Sequence, residues 1–184
     1  EHSTGVLKSG LRISFALTLL SLIAINALSP LIIQLFFPQY FGVEIYIMLL
    51  SIGLLFFSLY SPIYYYTAGK LQPEIGFSSI VAAAVVNVGL DILLIPYFDI
   101  YGIVIATTTA HLLAFILLFS RLKILRDFIP SIITVVFIVA SYYLKYYGLL
   151  LIPIAMIALY ALNLFKKSDY LILKNTLLSI ATFK

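Results

Sequence analysis

Six long apolar runs, each near the ~20 residues that an α-helix needs to cross the hydrocarbon core of a bilayer, constrain this chain more than anything else in it. They lie at about 11–37, 43–66, 77–95, 102–120, 128–146 and 149–165. Inside lipid a spanning segment has to satisfy its own backbone N–H and C=O groups, and a helix does so. The expected fold is therefore all-α: a polytopic membrane helix bundle of six transmembrane helices. Composition leaves little room for a water-soluble alternative. The chain is 64% hydrophobic and 10% charged, with a mean hydropathy of +1.17, against roughly 45 to 50% apolar residues in a soluble domain. The first run is long and carries Pro30, so a kink or tilt is expected near its far end.

Six spans leave seven segments outside the membrane, which must alternate sides, and basic residues favour the cytoplasmic one. The first, third, fifth and seventh segments hold Lys8 and Arg12; Lys70; Arg121, Lys123 and Arg126; and Lys166, Lys167, Lys174 and Lys184. Every basic residue except Lys145 falls in that set. Such a split predicts both ends of the chain on the cytoplasmic side, with Lys70, Arg121, Lys123 and Arg126 as cytoplasmic anchors. Tyrosine placement agrees, because amphipathic rings favour the headgroup level. Tyr40, Tyr97, Tyr101, Tyr146 and Tyr147 fall at outer ends, and Tyr64, Tyr65 and Tyr66 at an inner one.

After the last span, 166–184 reads as a cytoplasmic amphipathic tail. Ser168 is expected to cap a short interfacial helix, with Asp169 in its first turn. Tyr170, Leu173, Leu177 and Ile180 or Ala181 recur at helical spacing opposite Lys174, Asn175 and Ser179, and Lys166 and Lys167 hold the helix to the surface. No linker or long repeat divides the chain, so 1–184 is read as one membrane domain. It opens at Glu1 without a Met or a secretory signal, and looks like a piece of something longer.

The chemical inventory is sparse. With no cysteine and only His2 and His111 as imidazoles, neither a metal site nor a cofactor is expected. The formal charge of +4 lies at the membrane surface rather than in a nucleic-acid-binding face, so nucleic acid is not an expected partner; the lipid bilayer is. No paired carboxylates share a span face, and no phosphate loop or HExxH motif is present. An enzyme is not expected.

What polarity there is concentrates in 85–114. Pro96, Asp99 and Gly102 predict the turn of a helical hairpin, since proline is expected to stop a helix and Asp and Gly suit a tight reversal. Before the turn, Ser79, Ala83, Asn87 and Asp91 recur every four residues on one helix face. After it, Ala106, Ala110 and Ala114 do the same, with Thr107 and His111 alongside, the spacing that helix packing in lipid uses. A carboxylate within a span costs about 2.5 to 3.5 kcal/mol on insertion scales. Asp91 is thus either a group that braces the hairpin or a cavity-lining cation or proton site. Asn87 and His111 are each nine residues from the turn and should sit at similar depth, as a structural contact or a proton relay.

The run Leu94-Ile95-Pro96, Asp99, Gly102, Ile105-Ala106-Thr107, preceded by Asn87, resembles a hairpin of the polysaccharide (O-antigen type) flippases in the MATE-like exporter superfamily. There the pattern runs roughly Leu-Ile-Pro-x-x-Gly-x-x-Gly-Ala-Ala-Ile-Ala-Thr; here Asp99 stands for the first Gly, and Ile103 and Val104 for two Ala. Ala27-Leu28-Ser29-Pro30 through Phe41-Gly42 and the Asp169-containing tail are also similar to that family, and Lys70 stands where it often has Gly-Lys. The resemblance covers about 11–122 well and the last two spans weakly. It implies a transporter of two lobes that rock around a central cavity, with this chain as the C-terminal part and the missing N-terminal lobe as its partner. It also implies sugars linked to polyprenyl pyrophosphate as substrate and the cytoplasmic membrane of a prokaryote as location. No Lys or Arg lies in the middle of a span, so cationic partners for pyrophosphate would belong to the other lobe. The alternatives are a drug or small-solute exporter of the same superfamily and a non-transporting membrane scaffold or assembly subunit.

Overall fold

The computed structural model describes residues 2–70 and 72–182, with the side chains of 2–4, 6, 176, 177 and 179–182 excepted. Lys184 and the side chains of Leu177, Ser179, Ile180 and Ala181, on which the reading of the tail partly rests, lie outside the described residues. The elements are helical throughout: α1 (His2–Phe36), α2 (Glu44–Phe57), α3 (Tyr60–Gly69), α4 (Pro73–Phe98), α5 (Ile100–Arg121), α6 (Leu125–Phe128), α7 (Val135–Leu144), α8 (Leu151–Ala161) and α9 (Lys167–Thr182). Short 3₁₀ turns cover Pro38–Tyr40, Ile129–Thr134 and Lys145–Leu150. Among the described residues, five stretches are long and apolar enough to cross a membrane: Leu7–Phe36, Glu44–Gly69, Pro73–Phe98, Ile100–Arg121 and Leu125–Ala161. The chain is a multi-pass helical membrane protein.

The core forms around α1. Leu11, Phe15, Leu19 and Ile23 recur every four residues, fall on one helical face, and are fully buried. Leu55 and Leu59 from the second stretch, Ile63 of α3, Phe119 of α5, Ile138 of α7 and Leu159 of α8 close over them. Away from this core, bulky side chains such as Leu35, Phe36, Val85, Ile92, Leu93 and Ile157 stand exposed, an arrangement suited to acyl chains and costly in water.

Buried polar groups are handled locally. Pro62 has no N–H to give the carbonyl of Ser58, and Ser14 Oγ of α1 donates to that carbonyl instead at 3.2 Å. Pro30 likewise leaves the Asn26 carbonyl free, and Ser29 Oγ donates to it at 3.2 Å. α1 continues through Pro30 for six more residues. Asn26 Nδ2 donates to Leu22 O at 2.8 Å and to Ser51 Oγ at 2.9 Å, joining α1 to α2. Thr108 Oγ1 donates to Leu49 O at 3.1 Å and joins α5 to α2, beside Gly53, where a Cβ would stand 2.9 Å from Thr108 Cα.

α4 and α5 form the expected hairpin, with one correction. α4 runs through Pro96 to Phe98 instead of stopping at the proline, and the reversal is made by Asp99 alone, at φ 50° and ψ −126°. Proline costs a helix one hydrogen bond, which near an exposed helix end is readily tolerated. Gly102 follows, and its missing Cβ would meet the Leu94 carbonyl carbon at 2.7 Å.

The fifth stretch also reverses. Residues seven apart in a continuous α-helix stand about 10 Å apart, yet a Cβ on Gly148 would lie 2.8 Å from Ser141 Cα. The reversal sits at Lys145, with φ 51° and ψ −136°, rather than at the expected 146–149. Ser131, Thr134 and Ser141, all fully buried, line one side of the first limb, and their hydroxyls donate to carbonyls three residues back. At the tail the cap also differs from expectation. α9 starts at Lys167, which puts Ser168 inside the first turn, and Asp169 Oδ2 accepts from the Lys166 N–H at 2.9 Å.

Candidate functional site

The small-residue faces of α4 and α5 draw the hairpin together. Ser79, Ala83, Ala106, Ala110 and Ala114 are buried, and Ala83 packs with Ala110 and Ala114. Close backbones leave room beside them for the larger polar side chains of the next turn. A cavity of about 200 Å³ opens there, lined by Phe57, Ala83, Asn87, Thr107, Ala110 and His111 among others. Three of the four expected residues, Asn87, Thr107 and His111, thus share one cavity.

The His111 ring stacks on Phe57, with centroids 4.5 Å apart and planes 24° apart. Its Nδ1 lies 3.1 Å from where a Gly53 Cβ would be. Asn87 Oδ1 and His111 Nδ1 are buried with no hydrogen-bond partner. Leaving a buried polar atom unpaired costs about 1 to 3 kcal/mol, so these two atoms are a local cost to the hairpin.

Asp91 is placed apart from these three. It lies one turn further along α4, half-buried, in a shallow depression lined by Val88, Ile92, Ile95 and Pro96 of the same helix. Its Oδ1 is buried and unpaired. The four polar positions therefore form a line rather than a ring: Asn87, Thr107 and His111 between the helices, Asp91 beyond them. Most of α4 flanking that line, including Val85, Val88, Ile92 and Leu93, is exposed.

The expected anchors gather at the opposite end from Asp99. Lys70 caps α3 with its ammonium 4.6 Å from the Tyr66 ring centre. Arg121 Nη1 donates to Ser78 Oγ, tying the end of α5 to the start of α4. Lys123 takes a positive φ of 56° in the turn after α5, and Arg126 is exposed on α6.

Sequence reasoning missed two ion pairs at this end. Lys8 Nζ stands 2.6 Å from Asp127 Oδ2, both half-exposed. Arg12 grips Asp169 with two bonds, Nε to Oδ2 at 2.6 Å and Nη2 to Oδ1 at 2.8 Å, with Asp169 fully buried. Burial alone would push the Asp169 carboxyl up. Hydrogen bonds from Arg12, Ser9 and the Lys166 N–H, with the charge of Arg12, outweigh it and hold the group below its ordinary value. Lys8, Arg12, Asp127 and Lys166 surround a cavity of about 280 Å³. A signal existed, since all four lie in segments assigned to the same side; nothing in the sequence assigns the pairs.

Glu44 was missed as well. It opens α2, is 9% exposed, and lines a cavity at the Asp99 end. The reasoning that singled out Asp91, a carboxylate at the border of a span, applies to it equally. No protein-family model, curated protein or solved structure matches the chain.

Proposed function

We propose that this chain is one lobe of a two-lobed exporter that moves lipid-linked oligosaccharide across the cytoplasmic membrane by alternating access, the other lobe being the N-terminal part of the same transporter. The observation that carries the reading is the state of α4. It is buried only at Gly76, Ser79 and Ala83, yet bears Asn87 and Asp91, each with a buried unpaired oxygen, at the margin of an open apolar face. Polar groups in spans ordinarily face a bundle interior or a watered cavity. A second lobe set against α4 supplies that interior, and the resemblance of the α4–α5 hairpin to the O-antigen type flippases names the kind of lobe.

In this reading the chain crosses the membrane six times, because the fifth stretch divides at Lys145. Each limb has only sixteen or seventeen residues, 129–144 and 145–161, but six residues of each are 3₁₀. At a rise of ~2.0 Å per 3₁₀ residue and ~1.5 Å per α residue, each limb reaches about 27 to 29 Å, close to the ~30 Å of a hydrocarbon core. Reporter fusions after Gln72 and Leu125 should read cytoplasmic, and those after Tyr40, Asp99 and Tyr147 external. An external Leu125 fusion sinks this topology.

The functional test uses Asp91 in the two-lobed transporter reconstituted into liposomes. Asp91→Asn keeps the shape and removes the charge. Loss of coupled lipid-linked sugar translocation with intact folding supports a cation or proton site; tolerance of Asn with loss of expression for Asp91→Leu supports a brace. Robust translocation by the 184-residue chain alone, as a monomer, overturns the lobe reading.

A further inference from the structure

A cavity of about 490 Å³ lies at the Asp99 and Lys145 end, away from the α4 face on which the exporter reading rests. Pro30, Gln34, Phe41, Glu44, Tyr101, Tyr142, Tyr143 and Lys145 are among the residues that line it. Its volume is in the range of small-molecule sites. Glu44 is the only carboxylate in the lining. It is 9% exposed, and among the described residues no hydrogen bond or ion pair engages its carboxylate. Its place in the first turn of α2 offsets part of the cost of burial, since a helix N-terminus favours negative charge.

The same lining carries aromatic residues from three segments: Tyr101 at the start of α5, Tyr142 and Tyr143 on α7, and Phe41 before α2. Tyr46, two residues after Glu44, packs edge-on against Tyr101 with centroids 4.8 Å apart, and so fixes that ring. A carboxylate set among tyrosine and phenylalanine rings recognises one chemistry well. An alkylammonium group satisfies the carboxylate by charge and the rings by cation–π attraction, which strengthens when the group is desolvated. Lys145 is the competing cation. It lines the same cavity from the corner, exposed, and makes no ion pair with Glu44.

We propose that this cavity binds an alkylammonium group, as a free small molecule or as the headgroup of a zwitterionic lipid, with Glu44 as counter-ion, the tyrosines as its walls and Lys145 as a rival for the same charge. The site stands whether or not the chain is an exporter lobe.

The test uses the full chain in nanodiscs of phosphatidylglycerol, which carries no ammonium. Two probes of the same shape are titrated by saturation-transfer NMR: choline, and the neutral 3,3-dimethylbutan-1-ol. Choline should bind at least tenfold more tightly than the alcohol. Glu44→Gln should erase that preference, with circular dichroism confirming the fold. Lys145→Gln, at an exposed position, should tighten choline severalfold by removing the rival charge; it keeps the proposal testable if the Glu44 variant does not fold. Equal binding of the two probes overturns the site, as does choline binding that is unchanged in Glu44→Gln or weakened in Lys145→Gln. Repeating the titration in phosphatidylcholine nanodiscs separates the sources. Weakened choline binding there assigns the site to a lipid headgroup, and unchanged binding assigns it to a soluble amine.

Discussion

The two ends of the bundle are closed by different means. At the Asp99 end the chain reverses twice through the same device, Tyr97-Phe98-Asp99-Ile100-Tyr101-Gly102 and Tyr143-Leu144-Lys145-Tyr146-Tyr147-Gly148. In both, the third residue takes a positive φ near 50° and the glycine three places on lies against the backbone of the helix just left. The corner residue is an acid in one copy and a base in the other, so its charge does not set the turn. At the Arg12 end a different pair of turns repeats: Lys123 and Asn163 take positive φ values of 56° and 57°, and the next N–H in each closes on a carbonyl five residues back, Ile124 on Phe119 and Leu164 on Leu159. There α1 is tied to distant segments by the ion pairs Lys8–Asp127 and Arg12–Asp169. Backbone shape turns the chain at both ends and charge is added at only one, so the two should answer differently to substitution and to acid.

Asp169→Asn should produce the largest effect. It leaves Arg12, whose side chain is 13% exposed, without its counter-charge, at a cost of about 3 kcal/mol, read as a lowered melting temperature in detergent and faster proteolysis of α9. A change under about 1 kcal/mol would mean that charge does not hold this end. Gly102→Ala and Gly148→Ala come next, each losing about 1 to 3 kcal/mol through backbone overlap. If only one of them destabilises, the two corners are not one device. Acid sharpens the contrast further. Because the Asp169 carboxyl is held below its ordinary value, its contribution is present above the unfolded value of about 3.9 and lost as pH falls through the lower folded one. Hydrogen exchange should show α9 loosening between about pH 4 and lower values while the α4–α5 corner stays protected. Asp99→Gly and Lys145→Gly should each stabilise by up to about 1 kcal/mol, since glycine takes that backbone without strain. Lys8→Ala should cost least, under about 1 kcal/mol, because both partners are half-exposed.

The apolar runs and the α4–α5 hairpin were legible in the sequence because they rest on local physics: hydropathy over a window, and small residues at four-residue spacing. Asn87 and His111 were placed at one depth by counting from the turn, with Thr107 alongside, and the three line one cavity. The corner at Lys145 was not legible. Lysine carries no turn signal, and only alignment with the Asp99 corner exposes the shared Tyr-Gly frame. Pro96 misled because a proline near the end of an exposed helix removes one bond without ending the helix. The Arg12–Asp169 pair was beyond reach for another reason. Asp169 has a sufficient local role in the first turn of α9, and nothing in its neighbourhood points 157 residues back.

That separation also orders events in time. The contacts that make each corner, Leu94 to Gly102 and Ser141 to Gly148, join residues made almost together, so each hairpin can close as soon as its second limb emerges from the ribosome. Arg12 is made early and waits. At about 5 to 20 residues per second, the carboxylate that will hold it follows roughly 8 to 30 seconds later. Through that interval the guanidinium lacks the carboxylate that the folded chain gives it. Asp169 is thus the last of these contacts to arrive, and it locks the start of the first helix after both corners have been made.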